Sequence, residues 1–178
     1  MADTTSTRTG RSKVMTGMFR DRDSAERAYS SLTSRGYTKD DVNVLMSDAT
    51  RKKHFADDPD TELGSKALEG AAVGAGIGGT LGAILAGVAA VGTLAIPGVG
   101  LIAAGPIAAA LAGLGAGAAT GGLVGALVGA GIPEERAKLY DQGIREGGIV
   151  MGVEPRSDED ADYFEREWKN YRGEHIYR

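Results

Sequence analysis

Few side chains in this 178-residue sequence are of a type and spacing that can do chemistry. Gly74-Ala75-Gly76-Ile77-Gly78-Gly79 has the letters of a GxGxxG dinucleotide loop, whose glycines let a pyrophosphate approach the backbone at a helix N-terminus. That chemistry needs a strand before the loop, whereas residues 66–73 read as helix. Glycine is also so common here that the letters recur by chance. No GxxxxGKS or GxxxxGKT phosphate loop is present. The two histidines, His54 and His175, have no second metal ligand at a helical spacing, and the absence of cysteine removes thiolate sites, thiol nucleophiles and disulfides. Asp57, Asp58 and Asp60, and then Asp158, Glu159, Asp160 and Asp162, have the charge to collect a cation weakly. A solvated loop and an acidic first helical turn account for them better. Phe164, Trp168 and Tyr171 share one helix face, which is a packing pattern unless basic residues stand beside it. No Ser–His–Asp set and no carboxylate pair stands out, so the sequence predicts no catalytic site, no metal and no cofactor.

One spacing is regular enough to need a cause. Gly113, Gly117, Gly121, Gly125 and Gly129 step by four, and Gly70, Gly74, Gly78 and Gly82 do the same earlier. On a helix such a stripe is a groove that admits another backbone closely, as in GxxxG pairs. A four-residue step drifts by about 40° per repeat on a 3.6-residue helix, so a straight partner cannot follow it for long. More than one neighbour per helix is implied, hence self-association. These nine glycines are the expected contact surface.

The elements that would hold the stripes follow from charge. Gly70 to Pro133 is 64 residues without Asp, Glu, Lys, Arg or His, and holds 19 of the 28 glycines. The flanks are balanced, with 12 basic and 12 acidic residues up to Glu69, then 8 and 12 from Glu134. A net charge of −4 supplies no nucleic-acid-scale basic field. Residues 1–13, Ser/Thr/Arg-rich without an apolar run, read as a disordered tail.

Residues 14–19 (VMTGMF) read as a strand. A helix capped by Asp23 or Ser24 follows, carrying Ala25, Ala28, Tyr29 and Leu32 to a stop at Gly36, and residues 42–46 alternate like a half-buried strand. Residues 48–65 read as a polar linker. Beyond the apolar centre, Pro133, Glu134 and Glu135 open a helix with Ala137, Tyr140 and Ile144 on its buried side, ended by Gly147-Gly148. Residues 149–153 (IVMGV) form a third strand. Ser157 caps a last helix, and His175 to Tyr177 can add a short edge strand.

Neither flank has the apolar residues for a core of its own. Together, residues 14–47 and 133–178 predict an α+β domain, an interrupted ferredoxin-like α/β sandwich (β-α-β … α-β-α). Residues 66–132 are then an inserted helical hairpin, broken by Pro97 and Pro106 into arms of about 40 Å, long enough for a bilayer core of ~30 Å. Residues 70–92 contain only seven large aliphatics among eight glycines and seven alanines, weak for a membrane span. The uncharged length still favours insertion, with Arg51, Lys52, Lys53, Lys66, Arg136 and Lys138 keeping both flanks on the cytoplasmic side. The alternative is a water-soluble homo-oligomer, a shell or filament with the hairpins in a protein core. A pore has only Thr80, Thr93 and Thr120 to wet it, and a small-molecule-sensing α/β module also remains open.

Phe19-Arg20-Asp21-Arg22-Asp23-Ser24-Ala25-Glu26, Asp41-Val42-Asn43-Val44-Leu45, the glycine insert, Gly131-Ile132-Pro133-Glu134-Glu135 and Gly147-Gly148-Ile149-Val150 together resemble a bacterial general-stress family of heat-induced and low-temperature-induced proteins with a glycine-zipper insert. The resemblance covers about residues 14–154. It implies a role in stress tolerance and no catalytic residues. The sequence thus predicts a non-enzymatic protein that self-assembles through its hairpin, with membrane lipid and further copies of itself as partners.

Overall fold

The computed structural model describes residues 14–55, 61, 63–66, 101–105 and 115–178. The elements are β1 (Met15–Phe19), α1 (Arg22–Thr33), a 3-10 turn (Lys39–Asp41), β2 (Val42–Ser47), α2 (Asp48–Phe55), β3 (Leu101–Ala104), α3 (Gly115–Gly129), α4 (Glu134–Arg145), β4 (Ile149–Val153), α5 (Asp158–Asn170) and β5 (Glu174–Tyr177). The protein is mixed α/β, and its sheet runs β3-β2-β4-β1-β5.

Every neighbouring pair is antiparallel. β4 pairs along its length with β1, from Met15↔Val153 to Phe19↔Ile149, and on its other side with β2, from Val42↔Val153 to Leu45↔Val150. β1 and β2 therefore run parallel with β4 between them, and β4 and β5 run parallel with β1 between them. Two β-α-β units interleave, β1-α1-β2 and β4-α5-β5.

Helices cover both faces. On one, Ala25, Ala28, Tyr29 and Leu32 of α1 and Phe164 and Trp168 of α5 pack on Phe19, Val44, Met46, Met151 and Val153. Phe19 and Trp168 meet edge to face at 5.7 Å between centroids, the arrangement that ring quadrupoles favour. On the other face, Leu123, Ala126 and Leu127 of α3 and Ala137, Tyr140 and Ile144 of α4 pack on Met18, Leu45 and Val150. Two-sided burial explains why β1, β2 and β4 are buried at every position; the half-buried pattern expected of β2 does not hold. Asn43 is accommodated inside by donating from Nδ2 to the Gly152 carbonyl at 3.3 Å.

The local signals mostly work as physics requires. Ser157 accepts from the Asp160 N–H and opens α5. Asp21, not Asp23 or Ser24, caps α1, accepting from the Ser24 N–H at 2.8 Å. Helix ends at Gly36, Gly131 and Gly147 take positive φ, with N–H groups returning to the last turn, as in Ile132 to Leu127 O.

Three expectations change. Residues 48–55, read as linker, form α2, with Ser47 accepting from the Thr50 N–H at 3.0 Å and Phe55 in the core. Residues 63–66 are helical too, with Leu63 in that core and Lys66 buried. Residues 101–104, placed by sequence at the turn between two helical arms, are the edge strand β3, paired from Val44↔Ala104 to Ser47↔Leu101. The middle of the charge-free stretch thus returns to the sheet. Finally, the second helix of the interleaved pair is α5, and β5 is its strand; α4 instead joins α3 on the opposite face.

Candidate functional site

Of the nine glycines expected to form contact surfaces, Gly70, Gly74, Gly78, Gly82 and Gly113 lie outside the described residues, as do the GxGxxG letters and Asp57, Asp58 and Asp60. Gly117, Gly121, Gly125 and Gly129 lie on α3, which is not one straight helix. Gly122 has φ 56° and ψ −143°, so α3 is two helical pieces joined at a kink. Gly121-Gly122 supplies two residues without Cβ, and the second takes a conformation that L side chains rarely adopt. Gly117 and Gly121 stand before the kink, Gly125 and Gly129 after it. The four-residue stripe is therefore interrupted, and a partner following it along a single rod has no rod to follow.

The second piece has two distinct sides. Leu123, Ala126 and Leu127 are buried against the sheet with Ile132. On the opposite side Gly125 is half-buried, Gly129 is exposed and Val128 is 42% exposed. Leu139, at 38%, is the other large apolar side chain exposed among the described residues, and it lies on the neighbouring α4. The outward face after the kink is thus apolar, shallow and without a polar side chain.

Beneath α4 lies a polar node for which the sequence has no signal. The Tyr140 hydroxyl is 2.8 Å from Thr16 Oγ1 and 2.8 Å from the His175 carbonyl oxygen. A carbonyl can only accept, so Tyr140 donates to His175 and Thr16 donates to Tyr140. Burial pushes the phenol up to about 12, and the Thr16 bond and the Arg136 charge pull weakly the other way. The node ties α4 to β1 and β5. His175 contributes its backbone and not its imidazole. It holds φ 51° in a bulge where His175 and Ile176 oppose Gly17 of β1, a place that glycine usually takes.

A second unforeseen cluster joins the chain halves. Tyr37 donates to Asp160 Oδ2 at 2.8 Å and accepts from the Arg156 N–H at 2.6 Å. The Arg156 guanidinium lies 4.1 Å over the Tyr37 ring and bonds Asp41 at 3.1 Å. Burial raises Tyr37, and the Thr38 N–H holds Asp41 below the usual carboxylate range.

The remaining sequence candidates have structural roles. Asp160 and Glu159 face Arg35 at 2.9 and 3.8 Å, and Arg178 contacts Asp162. No cluster with metal-binding geometry exists among the described residues. The His54 carbonyl accepts from Arg22 at 2.8 Å, and burial lowers its imidazole. Phe164 and Trp168 are core, and Tyr171 donates to Glu167 at 2.8 Å. Among the described residues no helix is long and apolar enough to cross a membrane. No family model matches the chain, and neither does a curated protein or a solved structure.

Proposed function

We propose that this chain is a non-enzymatic self-assembling protein in which a sheet domain carries a glycine-rich apolar insert, and that copies associate through the insert. The observation that carries this reading is the outward face of α3, where Gly125, Val128 and Gly129 turn away from the sheet with no polar group among them. Small residues at that spacing let a second helix come close enough for backbone-level packing. The sheet domain is read as ferredoxin-like, supported by the order β2-β4-β1-β5 with α1 and α5 as the two crossovers. The insert then runs from the end of β2 to the start of β4, and α2, β3, α3 and α4 belong to it.

Burial of Leu123, Ala126, Leu127 and Ile132 on the sheet favours a protein surrounding for the second part of the insert. The first part carries a second reading. Residues 70–92 have no charge, which supports the cytoplasmic membrane with both flanks on its cytoplasmic side. The role in stress tolerance rests on the resemblance of the 131–135 turn and the strand segments to the general-stress family.

The test is a Gly125→Leu/Gly129→Leu double variant sized by light scattering. Both positions face outward, so the flanking domain keeps its circular dichroism while the assembly falls to monomer. Particles of wild-type size from a folded double variant overturn the reading. Vesicle flotation of the wild-type chain separates the two surroundings: pelleted protein supports the protein core, and floated protein supports lipid.

A further inference from the structure

We infer that β5 is exchangeable: it can leave the edge of β1 in its own chain and pair with β1 of a second copy. The inference stands on the hinge and the edge strand, and is independent of the glycine-rich face of α3.

β5 is joined to α5 by three residues, Tyr171 to Gly173. Within them the chain reverses so sharply that Arg172 sits at φ 60°, the left-handed region that costs an L side chain. Gly173 is pressed into the same turn: its N–H bonds the Trp168 carbonyl at 2.7 Å, and a Cβ there would meet that same oxygen at 2.7 Å. Short strained hinges are those that favour exchange of an element between copies. A chain that runs on from α5 without reversing needs no left-handed residue at 172. The His175 strain differs in kind. It belongs to the bulge against β1, re-forms in either pairing, and leaves the balance unchanged.

β5 is also less embedded than β1, β2 and β4. β1 and β4 share five consecutive register pairs; β1 and β5 share Thr16↔Tyr177 and Met18↔Glu174 across the bulge. Its residues are exposed or half-buried, whereas β1, β2 and β4 are buried throughout. Most of its anchors outside the sheet are polar: Glu174 to Arg20 at 2.9 Å, the His175 carbonyl to Tyr140, and Arg178 to Asp162 and Glu165. Its apolar anchor is Ile176, partly buried against the core, and Arg136 lies 5.9 Å over the Tyr177 ring.

These anchors also identify the occupant. The partner that best fits the uncovered edge of β1 brings a carboxylate to the side of Arg20 not held by Glu146, an aliphatic group to the core of Phe19 and Trp168 where Ile176 now packs, and a cation to the acidic side of α5. The sequence Glu174-His175-Ile176-Tyr177-Arg178 carries all three in register, so the matching partner is the same strand of another copy.

The chain has no cysteine, which makes the test direct. Full-length Thr16→Cys and full-length Tyr177→Cys are mixed at increasing concentration, oxidised and run without reductant. Strand exchange gives a mixed disulfide dimer whose fraction rises with concentration. A yield no higher than that of a Thr16→Cys with Lys39→Cys control mixture overturns the proposal. Met18→Cys with Glu174→Cys, the other register pair, serves if Thr16→Cys fails to fold. Adding Arg172→Gly relieves the hinge in the closed chain and lowers the dimer fraction by about tenfold; an unchanged fraction overturns it. The cross-link persists in the Gly125→Leu/Gly129→Leu background. Its loss there assigns the association to the α3 face alone and overturns strand exchange.

Discussion

Tyr140 shows how much one buried hydroxyl carries. Its ring fills the layer between α4 and the sheet, and its proton is the one that satisfies the His175 carbonyl. Tyr140→Phe keeps the ring and leaves that carbonyl and the Thr16 hydroxyl without their partner, a loss of about 1–3 kcal/mol. Urea unfolding followed by the fluorescence of Trp168, the single tryptophan, measures it. The same residue predicts an alkaline limit. Its folded phenol is pushed from the ordinary 10.0 up to about 12, so the neutral form is favoured in the native state. That stabilisation is fully present below pH 10, where both states hold the proton. It is lost as pH rises from 10 to 12, because the unfolded chain ionises first; the total is about 2–3 kcal/mol. Subtracting the urea midpoints of Tyr140→Phe from those of the wild type between pH 9 and 12 isolates this share from other titrating groups. A difference that stays constant over the window contradicts the assignment.

Elements differ in how far their own sequence determines them. α1, α4 and α5 each carry an apolar stripe with start and stop signals at or beside their ends, a side-chain cap in α1 and α5 and Pro133 with two glutamates in α4, and each forms close to where the pattern puts it. β3 does not. Leu101 to Ala104 is apolar, like everything around it, and it becomes a strand because β2 offers an unpaired edge. Gly105 makes that docking possible: at φ +103° it lies against the backbone of Val42 and Asn43, with Asn43 Cα 2.9 Å from where a Cβ would stand. Gly105→Ala therefore combines strain with a backbone clash, about 1–3 kcal/mol, and should free β3. Hydrogen exchange at the amides of residues 44–47 should accelerate, while that of β1 and β4 stays slow; unchanged protection at 44–47 contradicts the pairing. The hinge at Arg172 is the opposite case. Among the described residues three helices end on a glycine with positive φ, and α5 ends on an arginine in that role. Arg172→Gly should raise stability by about 1 kcal/mol, visible as a higher melting temperature.

At the scale of the molecule, the two flanks are one cooperative unit. Phe164 and Trp168 pack into the same core as Tyr29, Leu32 and Val44, and the Tyr37–Asp160 and Arg156–Asp41 bonds close the gap across more than a hundred residues of sequence. β1, β2 and β4 are adjacent only when both flanks are present, because β4 lies between the other two. Residues 1–66 expressed alone should therefore lack the sheet and give a disordered circular dichroism spectrum, and adding residues 133–178 should restore strand signal. A folded 1–66 fragment would show that the interleaving is not what holds β1 and β2 in place.

The sequence by itself determined what is local or compositional: the absence of a thiol, the 64 uncharged residues, the amphipathic helices with their glycine stops, and the need of two polar flanks for each other. Periodicity and capping act within a few residues, so they are visible without a fold. Tertiary structure alone decided which strand neighbours which, that helices cover both faces, that Tyr140, Thr16 and His175 share one node, and that residues 101–104 are a strand. Those outcomes depend on surfaces brought together from distant parts of the chain, 35 residues apart for Tyr140 and His175, 54 to 60 for β2 and β3 and more than a hundred for β1 and β4, and no spacing along the chain encodes them. The glycine stripe shows both kinds of information at once. Its four-residue step is plain in the sequence. The kink at Gly122, where freedom from a Cβ lets the backbone turn so that Leu123, Ala126 and Leu127 reach the sheet, belongs to the folded molecule.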